Sequence, residues 1–134
     1  PLIMMDAIKM GIALRNIVDN AVKYTPSGGT VDVRATADAH SLSLSIKDTG
    51  IGIPKEDQKL LFNKFFRGKN AVLVKTEGSG LGLFISKSII EQHNGVLLVE
   101  SKEGVGTLFT VQLPTREELM PSPSPNEGSR LQSK

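Results

Sequence analysis

Apolar residues follow a helical spacing near the start of the chain and alternate with polar residues in two later stretches, residues 30–35 and 41–46. The helical spacing begins after Asp6, which suits an N-cap, and continues to about Tyr24, so it predicts an amphipathic helix. Alternation at every second position is typical of half-buried strands. The predicted strands are residues 30–35, 41–46, 96–101 and 107–113.

Two further helices and a long irregular stretch complete the pattern. Pro54 suits the start of a short helix that ends near Phe65–Phe66, and Leu81–Gln92 is again helical in spacing. Residues 67–80 have no periodic pattern, which predicts a loop. The apolar residues Leu2–Met5 are interpreted as the end of a strand.

This order of helices and paired strands favours an α+β fold, a two-layer α/β sandwich with helices on one face of a mainly antiparallel sheet. We expect one domain over residues 1–114. After Pro114 the composition changes, and Pro121–Pro125 alternates proline with serine. Such a segment cannot bury a core, so residues 115–134 are predicted to form a flexible tail.

Composition narrows the function classes. The 134 residues are 39% hydrophobic and 22% charged, which is ordinary for a globular domain. A net charge of +2 gives no argument for a nucleic-acid partner. No apolar run reaches the roughly 18–20 residues that a membrane span needs. The chain has no cysteine, which excludes disulfides and cysteine metal sites.

Candidate chemistry begins in the first helix. Asn16 and Asn20 are four residues apart and share one helix face, and Lys23 joins that face. An amide oxygen suits Mg²⁺ and an ammonium suits phosphate. An exposed polar stripe is the alternative. Two asparagines are poor helix formers, however, and their presence in the middle of a helix needs a reason.

The second candidate lies at the end of a predicted strand. Asp48 is followed by Gly50 and Gly52. A carboxylate there can accept a hydrogen bond from an exocyclic amine such as adenine N6, and glycine lets the backbone pass close to a flat base. An ordinary Asp/Gly turn is the alternative.

Two more glycine motifs follow. Gly78–Gly82 leads directly into a helix, whose free N–H groups attract phosphate, although a flexible hinge would have the same sequence. Gly104–Thr107 is a predicted hairpin in which the Thr107 hydroxyl could bind near the base through water. Arg67 could reach a terminal phosphate. Neither His40 nor His93 has a nearby base or ligand set, so neither is assigned a chemical role.

Read in order, these motifs resemble the ATP-binding catalytic domain of a sensor histidine kinase, in the GHKL superfamily. The likeness runs from about Asp6 to Pro114. The segments that resemble the family's N box, first glycine box, F box, second glycine box and third glycine box are residues 14–26, 48–54, 61–67, 78–83 and 104–109, respectively.

The resemblance implies the Bergerat ATP-binding fold, with a mixed, mainly antiparallel sheet backed by three helices, and ATP with Mg²⁺ as cofactors. It makes Asn20 the magnesium ligand, with Asn16 beside it, and brings Arg67 to the γ-phosphate. It implies that Asp48 binds adenine N6 and that Thr107 supports the base. The full set of implied nucleotide-binding residues is Asn20, Lys23, Tyr24, Asp48, Gly50, Gly52, Ile53, Gly78, Ser79, Gly80, Leu81, Gly82, Leu83 and Thr107.

Asn16 also bears on the mechanism that the resemblance implies. ATP-hydrolysing members and serine kinases of the superfamily resemble one another in having a glutamate four residues before the magnesium asparagine, as general base. An amide at Asn16 cannot take up a proton at neutral pH. We therefore expect slow hydrolysis and an acceptor that brings its own reactivity, such as a histidine imidazole.

The resemblance further implies the partners. They are the dimerisation and phosphoacceptor helical domain of a parent kinase, which this chain lacks, and the receiver domain of a response regulator. We expect a cytoplasmic domain that contacts neither nucleic acid nor membrane. Ala71–Val74 make the expected lid unusually apolar, and we expect them to pack on the nucleotide site or a partner. A regulatory nucleotide-binding module and an anti-sigma-factor-type serine kinase are the alternative functions.

Overall fold

The computed structural model describes residues 2–64 and 82–119 of the chain. Its longer helices are α1 (Ala7–Lys23) and α3 (Gly82–Gln92), and its short ones are α2 (Lys55–Gln58) and α4 (Arg116–Leu119). The strands are β1 (Val31–Ala37), β2 (Ser41–Asp48), β3 (Val96–Lys102) and β4 (Gly106–Pro114). The predicted first helix and all four predicted strands are therefore confirmed, each within two residues.

The four strands form one sheet in the order β1-β2-β4-β3, and every neighbouring pair is antiparallel. This arrangement confirms the α+β fold, while the described strands include no parallel pair of the kind that a mixed sheet would contain. The register aligns Ser101 of β3, Thr107 of β4 and Asp48 of β2 in one row across three strands. Asp48 therefore meets the β3–β4 hairpin at one end of the sheet, where Thr107 lies 59 residues further along the chain.

The core lies between one face of the sheet and the pair of helices α1 and α3. Alternate strand residues such as Ile46 and Phe109 face the helices and are nearly inaccessible. From α1 the core takes Met10, Ala13, Ile17 and Ala21, which recur at helical spacing. The completely buried Ser86 of α3 donates a hydrogen bond of 2.8 Å to the carbonyl oxygen of Ala13, which fixes the two helices against each other.

Two predicted elements differ in the structure. Helix α2 ends at Gln58 instead of near Phe65–Phe66, and turns follow it. The consecutive residues Leu61 and Phe62, which lie in these turns, are partly buried against the core. Residues 2–5 form no strand, and Leu2, Met4 and Met5 are exposed.

The segment after β4 is hydrogen-bonded to the turn between β1 and β2 and to the first described residue, Leu2. Thr115 is 1% exposed, and its hydroxyl donates to the carbonyl oxygen of Ala39 at 2.7 Å. The next amide, Arg116 N, donates to the carbonyl oxygen of Leu2 at 2.7 Å. The division of the chain after residue 114 stays a prediction, and residues 120–134 lie outside the described part.

None of the helices within the described ranges combines the length and the apolar character that crossing a bilayer requires.

Candidate functional site

The centre of the candidate site is the carboxylate of Asp48 at the end of β2. Its side chain is 7% exposed. Oδ1 accepts two backbone N–H groups, from Gly50 at 2.9 Å and from Thr107 at 3.2 Å. Within residues 2–64 and 82–119, no group donates to Oδ2. One carboxylate oxygen is therefore held by the fold, and the other is available to a ligand that carries a donor.

Burial raises the pKa of Asp48 above its usual value, because the charged form loses contact with water. The two backbone N–H groups act in the opposite direction and stabilise the carboxylate, but less strongly. A buried acid with a raised pKa is often a functional residue, because the fold does not need its charge. Here the charge would be satisfied by a bound donor.

Two glycines allow the loop after Asp48 to pack closely against neighbouring backbone carbonyl groups. A Cβ on Gly50 would collide with the carbonyl oxygen of Tyr24 and would lie 2.9 Å from Asp48 Oδ1. Gly52 has φ +69°, in the left-handed region, and a Cβ there would collide with the carbonyl oxygen of Lys102. No other residue type fits these two positions without displacing the backbone.

Ser101 is a site residue that the sequence analysis did not identify. Its Oγ accepts the Ile53 N–H at 2.8 Å and lies 2.8 Å from Thr107 Oγ1 and 3.0 Å from the carbonyl oxygen of Gly106. It therefore joins the loop after Asp48 to β4. The two-residue period of a strand was the available signal, since Ser101 lies on the same face of β3 as Leu97 and Val99, which the helices cover.

The C-terminal end of α1 lies against the same loop. The carbonyl oxygen of Tyr24, the C-cap of α1, accepts the Ile51 N–H at 3.1 Å. The carbonyl oxygen of Asn20 accepts the Tyr24 N–H at 3.1 Å. Within the described residues, no group bonds to the half-buried side-chain amide of Asn20. Asn20 and Asp48 are thus joined through a short series of backbone contacts.

Asn16 connects α1 to the start of α3. Its Nδ2 donates to the carbonyl oxygen of Gly82 at 3.3 Å. The Leu83 side chain lies in the core, so only its backbone could contact a ligand. The structure therefore brings the two asparagines, Asp48 and the start of α3 into one connected region, while the role of each residue stays a prediction.

Lys23 is the last residue of α1, and Tyr24 is its C-cap. The Lys23 Nζ lies 5.4 Å from the centre of the Tyr24 ring. This cation–π contact holds the ammonium group at the end of α1 that carries Asn20. Its predicted contact with phosphate or sugar would require the ammonium to bind the ligand from this position.

The donor set suits a magnesium ion only in part. Within the described residues there is no group of three or more acidic, histidine or cysteine side chains that could hold a metal. The Asn20 amide oxygen is a hard ligand of the kind that Mg²⁺ accepts, and none of the described residues bonds to it. Mg²⁺ usually keeps most of its shell for water and substrate phosphates, so Asn20 fits an ion that arrives with its ligand.

Several predicted site residues fall outside the described ranges. They are Arg67, Gly78, Ser79, Gly80 and Leu81, together with the apolar stretch Ala71–Val74. Their predicted contributions to the phosphate site and to the lid therefore stay predictions.

The two histidines have structural partners. His93 accepts the Asp6 N–H on Nε2 at 2.9 Å and contacts the carbonyl oxygen of Ile89 through Nδ1 at 2.7 Å. This geometry requires the neutral ring with its proton on Nδ1. The exposed His40 lies 3.1 Å from Glu118. His93 thus joins the start of α1 to the end of α3, a contact that no sequence pattern indicated.

Comparison with known proteins places this geometry in a family. The model of the family described as "Histidine kinase-, DNA gyrase B-, and HSP90-like ATPase" matches residues 5–117. The sensor histidine kinase WalK of Bacillus subtilis is 41% identical over 116 residues, which are 85% of this chain and 19% of that protein. The chain thus spans about a fifth of this curated relative.

Two solved structures are also similar to this chain. The mycobacterial sensor histidine kinase MprB superposes with a TM-score of 0.77 at 38% identity, covering 85% of this chain and 77% of that one. Full-length ShkA in complex with AMPPNP superposes with a TM-score of 0.65 at 31% identity, covering 79% of this chain and 21% of that one.

Proposed function

The chain belongs to the family of histidine kinase-, DNA gyrase B- and HSP90-like ATPases, and from that premise we propose that it is the ATP-binding catalytic domain of a sensor histidine kinase. It would bind ATP with Mg²⁺ and present the γ-phosphate to a histidine on a separate helical domain. The sensor histidine kinases among its relatives support this choice within the family.

One observation carries the proposal: the buried Asp48 carboxylate, whose Oδ1 accepts two backbone N–H groups and whose Oδ2 has no donor among the described residues. A 6-amino group of a purine is a donor that suits Oδ2. Gly50 and Gly52 let the loop after Asp48 pack directly against the carbonyl groups of Tyr24 and Lys102, which fixes the backbone beside the carboxylate. The base would therefore bind at the row of Asp48, Thr107 and Ser101.

The triphosphate would extend from this row towards α1 and α3. Free N–H groups at the start of α3 would attract the phosphates, and Lys23 would supply a positive charge. Asn20 would hold Mg²⁺, which supplies charge neutralisation for phosphoryl transfer. These residues bind and orient the nucleotide, and positioning with charge neutralisation accounts for most of the catalysis of such transfers.

Asn16 accounts for the choice of acceptor. Its Nδ2 already donates to Gly82, and its amide oxygen cannot take up a proton at neutral pH. The domain therefore offers no general base at this position to activate water or a serine hydroxyl. An imidazole needs no such activation, so a histidine is the acceptor that this site suits.

The test has two steps. Calorimetric titration with a non-hydrolysable ATP analogue, with and without Mg²⁺, should give binding that Mg²⁺ strengthens. A separately produced acceptor helical domain from a sensor histidine kinase of the same family should then gain acid-labile phosphate when ATP and this domain are added. Absence of nucleotide binding would refute the proposal. Binding without transfer to any such domain tested would favour a regulatory module.

A further inference from the structure

The hydroxyl of Ser101 has three polar neighbours, and their chemistry fixes where its proton goes. Ile53 N–H can only donate, and the carbonyl oxygen of Gly106 can only accept. Ser101 Oγ lies 2.8 Å from the first, 3.0 Å from the second, and 2.8 Å from Thr107 Oγ1. Ser101 has one proton and two lone pairs to share among these three contacts.

Only one arrangement makes all three contacts hydrogen bonds. Ser101 accepts from Ile53, donates to the carbonyl oxygen of Gly106, and accepts the proton of the Thr107 hydroxyl. If Ser101 donated to Thr107 instead, the Gly106 contact would hold two oxygens at 3.0 Å with no proton between them. Ser101 and Gly106 are half-buried, and the first arrangement is favoured because it leaves none of these hydrogen bonds unmade.

The consequence falls on Thr107. With its proton directed at Ser101, Thr107 Oγ1 offers only lone pairs to anything else that approaches it. Thr107 is 7% exposed and stands beside Asp48 in the sheet register. Two neighbouring groups, Thr107 Oγ1 and Asp48 Oδ2, therefore both act as acceptors at the end of the sheet where the base is proposed to bind.

We propose that Ser101 is a positioning residue that determines base specificity: by accepting the proton of Thr107, it makes the base site purely accepting and so favours a 6-amino purine over a 6-oxo purine. The inference rests on the proposed nucleotide function and extends it. Any group that touches Thr107 Oγ1, whether the base or a bridging water, must donate to it. At position 6 itself, an oxo oxygen presents an acceptor to this row where the amino group presents a donor.

The test compares two nucleotides that differ at this edge. ADP carries a 6-amino group, whereas inosine diphosphate carries a 6-oxo group in its place. Their dissociation constants are measured by calorimetry for the wild type and for Ser101→Ala, which frees the Thr107 proton to turn towards the ligand. The specificity ratio is the dissociation constant of inosine diphosphate divided by that of ADP. In Ser101→Ala this ratio should fall by roughly three- to ten-fold, as expected for the loss of one neutral hydrogen-bonding preference.

Three further variants separate specificity from simple damage. Ser101→Thr keeps a hydroxyl and should keep the wild-type ratio. Thr107→Val removes the oriented hydroxyl and should lower the ratio, and adding Ser101→Ala to it should change the ratio no further. Ser45→Ala makes the same deletion on the opposite face of the sheet, where Ser45 pairs with Arg34 and Thr110, and should leave both constants unchanged.

The outcomes distinguish the two proposals. If wild-type protein binds neither nucleotide, the nucleotide function and this inference both fail. If it prefers ADP but Ser101→Ala weakens both nucleotides equally, Ser101 is only structural and the inference alone fails. Should Ser101→Ala not fold, an unchanged ratio in Thr107→Val overturns the inference in the same way.

Discussion

Replacing Asp48 by asparagine tests the base site with almost no change of shape. The amide oxygen of asparagine can still accept the N–H groups of Gly50 and Thr107, now held by Oδ1 of the carboxylate. The amide nitrogen then takes the place of Oδ2 and presents a donor. A 6-amino purine would meet that donor with its own N–H, so Asp48→Asn replaces an attraction by a repulsion.

The magnitude follows from the bond that is lost. A hydrogen bond to a charged group contributes about 1.5–3 kcal/mol, which corresponds to roughly a 10- to 160-fold increase in the dissociation constant of ATP. The stability of the empty protein should move the other way or not at all. Burial disfavours the Asp48 charge, as its raised pKa indicates, and the variant removes that charge while keeping both backbone hydrogen bonds.

The assay measures both quantities on the same samples. Calorimetric titration with a non-hydrolysable ATP analogue gives the dissociation constant, and thermal unfolding without nucleotide gives the midpoint. Asp32→Asn is the matched control, because Asp32 is exposed beside Arg34 at the edge of the sheet and makes the same change of charge. The control should bind like the wild type.

Two results would refute this reasoning. Unchanged affinity in Asp48→Asn would mean that no donor of the nucleotide meets Oδ2. A marked fall in the unfolding temperature of the empty variant would mean that the charge stabilises the fold, and a loss of affinity would then reflect damage instead of a missing hydrogen bond.

Three other predictions follow from the site. Asn16→Glu would introduce a general base, and ATP hydrolysis should rise, by at most the factor of about 10²–10⁴ that such groups supply; no rise in phosphate release at retained affinity would contradict this. Gly52→Ala should lower the free energy of unfolding by about 1–3 kcal/mol, because Gly52 has a left-handed φ and its Cβ would meet the Lys102 carbonyl oxygen. The control Gly11→Ala, in an exposed part of α1 with nothing near the new Cβ, should instead raise the free energy of unfolding by about 0.5–1 kcal/mol, and equal effects in chemical denaturation would contradict the packing argument. Nucleotide affinity should fall as the pH is lowered through the raised pKa of Asp48, because the protonated carboxyl loses its charge. For the empty protein the sign is opposite, because stability gained by protonation is present at low pH and lost as the pH rises through the folded-state pKa, and parallel pH profiles for wild type and Asp48→Asn would contradict both statements.

Local periodicity predicted the elements that bury one continuous face. The stripe of Met10, Ala13 and Ile17 and the alternation in the strands each reflect a single buried side, which sequence spacing records directly. The predictions were wrong for two segments that do not bury one continuous face. The helix after Pro54 ends at Gln58, and residues 2–5, most of them exposed, pair with no strand within the described part of the chain.

The site was predicted as far as residue type and spacing reveal chemistry. Asp48 and its glycines stand together in the sequence, so their motif was recognisable. Ser101 and His93 were missed because their importance arises from register and helix packing. Ser101 gains its role by standing beside Thr107 across two strands, and His93 by meeting an amide 87 residues away. Such contacts exist only after the chain has folded.

The hydrogen bond between Arg116 and Leu2 has an architectural consequence. Residue 2 and the residue that follows β4 by two positions therefore lie at the same corner of the fold. A larger protein could carry this domain on one side, because its chain would enter and leave at that corner. Chain ends that lie close together at the surface allow a domain to be joined to other domains with little disturbance of its core.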